Sequence, residues 1–234
     1  MSTAEGGGNI VTDGLVLYLD AANPKSIVSG STTWNDLSRG GNNGTLTGGP
    51  TFNSGNGGSL VFDGSDDYLL GNTILEPQNN ALSISTWFKP TGPSNNNDSA
   101  GGILLIGNNQ STFGYALLYS WSNQTISFAT RINDLITSQN NSVLQNTISN
   151  FTAIFNGSQQ IIYLNGQLLT SRTYTTPISY PTSGDRFFRI GQWGNGIFPR
   201  NFKGNIYQTQ IYNRALTATE IFQNYNATKT RFGL

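Results

Sequence analysis

Apolar side chains recur along this chain in short runs with alternating neighbours, and polar, glycine-rich stretches separate the runs. Alternation with a period of two places successive side chains on opposite faces of a strand. It is clearest in Leu82-Ser-Ile-Ser-Thr-Trp-Phe88, where Leu82 and Ile84 share one face and Ser83 and Ser85 the other, so a half-buried strand is expected there. Runs at 15–19, 60–62, 103–106, 115–121, 125–131, 151–155, 160–164, 167–171, 187–190 and 204–212 read as strands too. Many short strands with few helical signals predict an all-β sandwich or barrel. Asn156-Gly157 and Asn165-Gly166 separate three of these runs. Glycine supplies the positive φ of a type I′ turn, so 151–171 is expected to form an antiparallel meander. The one strong helix signal is Thr217-Ala-Thr-Glu220, a capping box followed by Ile221, Phe222 and Tyr225, and this helix is expected to close one edge or end of the sandwich.

The stretches at 40–43, 53–58, 93–102 and 139–150 are rich in Gly, Asn, Ser and Thr and cannot build a second core. Residues 1–9 offer nothing to bury and are expected to form a flexible arm, leaving 10–234 as a single domain. A sandwich of 234 residues buries enough surface to need no metal or disulfide, and the absence of Cys fits folding in a reducing compartment. The N-terminus has neither the basic nor the apolar region of a secretory signal, and no apolar run is long enough to cross a bilayer.

Charge narrows the partners. Twelve Lys and Arg balance twelve Asp and Glu, which leaves no electrostatic footprint for nucleic acid or an anionic membrane. The distribution is uneven: residues 1–100 hold nine acidic and three basic side chains, and residues 101–234 hold three acidic and nine basic. Interleaving strands from both halves is expected to cancel this over the surface; the sharper alternative is head-to-tail contact between acidic and basic faces of neighbouring copies.

Several segments resemble the laminin G-like branch of the concanavalin A-like domains. They include Gly14-Leu-Val-Leu-Tyr-Leu-Asp-Ala-Ala-Asn-Pro24, Thr33-Trp-Asn-Asp-Leu-Ser38, Asn42-Asn-Gly-Thr-Leu46 and Gly58-Ser-Leu-Val-Phe-Asp-Gly-Ser-Asp-Asp-Tyr68. Leu82-Ser-Ile-Ser-Thr-Trp-Phe-Lys-Pro90, Ile162-Tyr-Leu-Asn-Gly-Gln-Leu168, Arg189-Ile-Gly191, Phe202-Lys-Gly-Asn-Ile-Tyr207 and the stretch 210–221 continue the series. The resemblance spans about 10–225 in the family's order. It implies a jelly-roll sandwich of two antiparallel sheets, with a concave face and end loops available to a ligand.

The closing stretch, 221–234, is similar to the ends of laminin G-like virion proteins of tailed phages, especially those of cyanobacteria. That likeness implies a phage structural protein, a capsid decoration or a tail- or fibre-associated component, complete on this one domain and made in the host cytoplasm without a signal peptide. Its partners would be other virion proteins and, in host adhesion, cell-surface glycans, and a homo-oligomer, a trimer for preference, is expected. The alternative is a stand-alone carbohydrate-binding lectin or adhesion module outside any virion.

Glucanases of this fold resemble one another in a strand bearing Glu-x-Asp-x-x-Glu, because retaining hydrolysis needs two carboxyls roughly 5–5.5 Å apart. This chain has only Glu5, Glu76 and Glu220, none so placed, and no His or Cys to act as general base, thiol nucleophile or zinc ligand. A non-catalytic protein is expected. Asp63, Asp66 and Asp67 crowd oxygen ligands that could suit calcium, but the favoured reading is a tight turn held by Asx bonds, and no cofactor is expected. Where family members carry carboxylates in a late strand, this chain has Ile206-Tyr207-Gln208, which weakens a calcium site. Sugars stack on aromatic faces with amide hydrogen bonds at the rim, and the aromatics on Asn- and Gly-rich loops make Trp193, Trp121, Tyr119, Asn195 and Phe198 the candidate ligand residues.

Overall fold

Short apolar runs cut by Gly and Asn leave little room for helix, and the chain folds as strands joined by turns. The computed structural model describes residues 9–234 except 74, 78, 96–98, 108–112, 132–133, 183–185 and 195–198. In chain order the strands are β1 (Leu15–Asp20), β2 (Thr33–Trp34), β3 (Gly44–Thr47), β4 (Thr51–Asn53), β5 (Ser59–Asp63), β6 (Tyr68–Gly71), β7 (Leu82–Pro90), β8 (Ala100–Gly107) and β9 (Phe113–Ser120). They continue as β10 (Thr125–Arg131), β11 (Asp134–Thr137), β12 (Ser149–Phe155), β13 (Gln159–Leu164), β14 (Gln167–Thr173), β15 (Phe188–Ile190), β16 (Gln192–Trp193), β17 (Arg200–Asn201) and β18 (Lys203–Tyr212). One helix, α1 (Ala218–Lys229), follows.

The first sheet runs β14-β13-β12-β7-β18-β5-β4, and β1 pairs with the C-terminal half of β18 where β5 has ended. The second runs β11-β10-β9-β8-β15-β6-β3-β2, and β16 and β17 form a separate small hairpin. Every pairing is antiparallel, as the resemblance implies. The inner faces share one core in which Leu82, Ile84 and Phe88 of β7 meet Leu117, Tyr119 and Phe128 of the opposite sheet, with the Phe88 ring edge-on to Tyr119 at 6.1 Å. The short strands at 33–34, 44–47, 51–53, 68–71 and 134–137 are too brief to show a period in sequence, and their pairing with longer neighbours makes them strands.

Strand β7 departs from the sequence expectation, because both of its faces are buried. On the outer face, Ser83 Oγ donates to the carbonyl of Arg214 and accepts from the N–H of Leu216, Ser85 bonds Asn150 and Thr152, and Trp87 lies under the C-terminal segment. The cover is α1, which lies across the outer face of the first sheet and closes no edge: Ile221 packs on Ile154, Tyr212 and Leu216. Both bonds of the capping box form, at 3.3 Å from Glu220 N–H to Thr217 Oγ1 and 2.8 Å from Thr217 N–H to Glu220 Oε2. Arg214 holds the same carboxylate at 2.6 Å and, with the Thr217 N–H, brings the Glu220 pKa down to about 2.

The two Asn-Gly turns also differ. Asn165 (φ 50°) and Gly166 (φ 75°) both take the left-handed conformation that a type I′ turn requires. Of the other pair only Gly157 does (φ 89°), and Asn156 instead accepts the N–H groups of Ser158 and Gln159 through its side chain, so the connection is a three-residue Asx loop. In the expected arm, residues 1–8 lie outside the described residues, whereas Asn9 accepts a bond from Gln223 and Val11 is tied to Asn224 and Tyr212. Among the described residues no helix is long and apolar enough to cross a membrane.

Candidate functional site

Register fixes what the second sheet shows on its outer face. Across its central strands, Leu70, Arg189, Leu105, Ala116, Ala129 and Leu135 stand opposite one another in sequence from β6 to β11, so their side chains form one row. Inner neighbours such as Phe188, Ile190, Leu117 and Phe128 belong to the core, which puts the row outside. The next row places Leu118 beside Gly102 and Ser127. Leu105, Ala116, Leu118 and Ala129 thus make a low apolar floor, and the two alanines leave a depression in it.

Trp193 fills that depression. The β16–β17 hairpin lies over the sheet at Gly102, where an added Cβ would collide with the backbone of Trp193, so only glycine allows the approach. The indole packs on the floor, and the guanidinium of Arg200, its partner across the hairpin, sits over the ring at 4.6 Å from the centroid. Such a contact is worth about 0.5–2 kcal/mol, depending on exposure. The indole N–H finds no acceptor among the described residues. Arg189 braces the arrangement from the side: it lies over the rings of Phe187 (4.5 Å) and Tyr68 (5.3 Å) and donates to the carbonyl of Gly194. What this face offers a ligand is therefore a half-buried indole edge beside a guanidinium, not a bare stacking platform.

The other sugar-binding candidates fall elsewhere. Tyr119 and Trp121 are core residues, 0% and 5% exposed, packed edge to face at 4.9 Å, so neither ring reaches a ligand. Tyr119 donates its hydroxyl to the carbonyl of Val143, and burial pushes its pKa up to about 12. Alternation explains the correction: Tyr119 shares the inward parity of Tyr115 and Leu117, and Trp121 turns into the sandwich beside Phe202. Asn195 and Phe198 lie outside the described residues.

Asp63, Asp66 and Asp67 do come together, with one oxygen from each within 4.8 Å of the others. Asp63 accepts the N–H of Ser65 at 2.7 Å and Asp67 accepts the N–H of Asp63 at 2.8 Å, the Asx pattern of a tight turn. Asp67 is buried, and desolvation ahead of its acidic neighbours raises its pKa to about 6. Asn95 and Asn201 add amide bonds to Ser65, and Lys203 flanks the turn at Gly64. Backbone N–H groups of the turn thus occupy Asp63 and Asp67. A second concavity of about 610 Å³ lined by Thr12, Asp13, Leu37 and Arg39 presents no aromatic side chain.

Sequence reasoning missed Arg200, Arg189 and Tyr68. Its available signal was charge: residues 186–201 contain three Arg and no Asp or Glu.

Among curated proteins no relative matches the sequence. Solved structures of similar fold include domain 4 of the extracellular arabinanase AbnA from Geobacillus stearothermophilus, determined in complex with arabinotriose (17% identity, TM-score 0.69, covering 92% of this chain and 100% of that one). The sialidase of Trypanosoma rangeli aligns at 14% identity and TM-score 0.69 over 99% of this chain but only 36% of its own. The binding domain of botulinum neurotoxin DC, determined with rat synaptotagmin II, aligns at 17% identity and TM-score 0.68 over 93% of this chain and 52% of its own. At these identities the likeness establishes the fold. A family model matches residues 62–222, more than half of the sequence, and the chain belongs to the concanavalin A-like lectin/glucanases superfamily.

Proposed function

We propose that this protein is a non-catalytic saccharide-binding module whose site is the outer face of the second sheet at the Trp193 hairpin. The observation that carries the reading is the contrast among the tryptophans: Trp34, Trp87 and Trp121 are 0%, 2% and 5% exposed, while Trp193 alone of the four lies half-buried on an outer face, beside polar and charged side chains. An amphipathic ring in that setting suits sugar C–H groups with hydrogen bonds at the rim. The arabinotriose held by the arabinanase domain of the same fold supports a saccharide as ligand. Binding is favoured over hydrolysis because, of the three carboxylates that converge among the described residues, Asp63 and Asp67 accept backbone N–H groups of their own turn and Asp67 is buried beneath it. Replacing Trp193 by Ala is expected to weaken saccharide binding about ten-fold or more, a loss of roughly 1.4 kcal/mol, with little change in Tm. Unchanged affinity in a folded variant would remove the hairpin from the site.

The module serves, on this reading, in a phage virion protein, as capsid decoration or on the tail or a fibre, made in the host cytoplasm and assembled as a trimer. That part rests on the likeness of 221–234 to virion proteins. In the fold this stretch is occupied in covering the first sheet, through Ile221, Tyr225 and Phe232. Co-sedimentation of the protein with purified particles supports the assignment; recovery only as free protein leaves the stand-alone lectin.

A further inference from the structure

The charge on the Trp193 face specifies a ligand class. In the strands of the second sheet and the hairpin above it, the charged residues are Arg131, Asp134, Arg189 and Arg200. The single carboxylate, Asp134, is engaged across the sandwich by Arg172 of β14 at 3.0 Å. The sequence adds no further Asp or Glu from 100 to 133, nor from 186 to 219, and the carboxylates nearest the hairpin among the described residues are those of the 63–67 turn, which Asn201 bonds through the Ser65 carbonyl. Interleaving of the acidic and basic halves therefore leaves the strands of this face with a net positive charge, bordered by the acidic 63–67 turn. Arg200 rests over the Trp193 ring, and no carboxylate among the described residues lies within ion-pair distance of it. A guanidinium supported over an aromatic ring still has its N–H edge to offer, and that fork fits an anionic oxygen pair. A neutral sugar at the same place would meet that charge with hydroxyl oxygens alone, a weaker match than an anionic oxygen pair.

We infer that the site takes an acidic saccharide, with its carboxylate or sulfate against Arg200 and its ring against the exposed part of the Trp193 indole. This rests on the saccharide-binding reading above and adds the ligand's charge. Arg189 acts as a positioning residue, holding the Gly194 carbonyl and so the hairpin, while Arg131, exposed at the end of β10, extends the cationic face toward its edge.

The test is calorimetric titration of the full chain with an oligogalacturonate, with the same oligosaccharide fully methyl-esterified, and with a sulfated galactan oligosaccharide. At least one acidic form is expected to bind about ten-fold or more tightly than the ester, consistent with a charge-assisted hydrogen bond, and which one binds tells carboxylate from sulfate. Affinity is expected to fall as salt is raised, and Arg200→Gln to lose most of the preference while Arg200→Lys keeps part of it. The salt series on the unaltered protein reads the same property without any variant. Ester and acid binding alike, without salt dependence, would overturn the charge assignment and leave the saccharide site standing; no binding of any of the three would overturn both.

Discussion

Two outer faces of one sandwich carry a tryptophan each, and the chain treats them in opposite ways. Trp87 on the first sheet is stacked on Tyr225 at 5.5 Å and 12° and packed on Phe232 at 4.5 Å, both supplied by the C-terminal segment. Arg231 clamps that segment down by pairing with Asp20 at 2.7 Å and donating to the carbonyls of Asn56 and Gly58. Trp193 on the second sheet receives, among the described residues, an arginine from its own hairpin over its ring. An aromatic on an outer face is open to a ligand only where the chain leaves it uncovered. A sheet face 2% exposed at its tryptophan is core in all but position.

Breaking the covered face should have the largest effect. Trp87→Ala empties the contacts of Tyr225 and Phe232, and a buried Trp→Ala change costs roughly 3–5 kcal/mol. For a chain of this size that lowers Tm by about 10 °C or more, measurable by calorimetry or circular dichroism, and saccharide affinity in the folded fraction should be unchanged. A Tm fall as large for Trp193→Ala would mean that both faces are structural.

A middle-sized effect lies at the acidic turn beneath the hairpin. Asp67 has a folded pKa of about 6, above its ordinary 3.8, so the folded state binds its proton more readily than the unfolded chain does. Its contribution to stability is present below about pH 4 and is lost as pH rises through 6. Asp67→Asn should therefore raise stability at pH 7.5 by on the order of 1–2 kcal/mol, with the gap to the unaltered protein closing by pH 4. Glu220 works the other way: its lowered pKa gives stability above about pH 4.5 that is lost as pH falls toward 2. Urea melts of both proteins across pH 4–8 would show the Asp67 effect; a gap that does not narrow on acidification would contradict it.

Much of this was legible in the residues. The alternation in 82–88, the capping box at Thr217 and Glu220 and the Asn165-Gly166 turn act through neighbours in sequence, and each forms with the bonds its pattern calls for. The misreadings concern partners distant in sequence. Ser83 and Ser85 read as solvent-facing because nothing local reveals that Leu216 and Asn150 will meet them. Tyr119 and Trp121 sit beside Asn- and Gly-rich segments in the chain, yet their parity carries them inward. Asn156-Gly157 shows the limit at short range: the same dipeptide forms a different loop when the Asn side chain takes over the backbone bonds. Arg200 joins the site only through its register with Trp193, which no local pattern specifies.

The most direct measurement is a titration followed through the four indole N–H signals in a nitrogen–proton correlation spectrum of the protein with the oligosaccharides above. The Trp193 signal is expected to move with saccharide concentration while those of Trp34, Trp87 and Trp121, sealed in the core or under the C-terminal segment, stay in place. Movement of Trp87 with Trp193 unaffected would contradict it and relocate ligand binding to the opposite sheet.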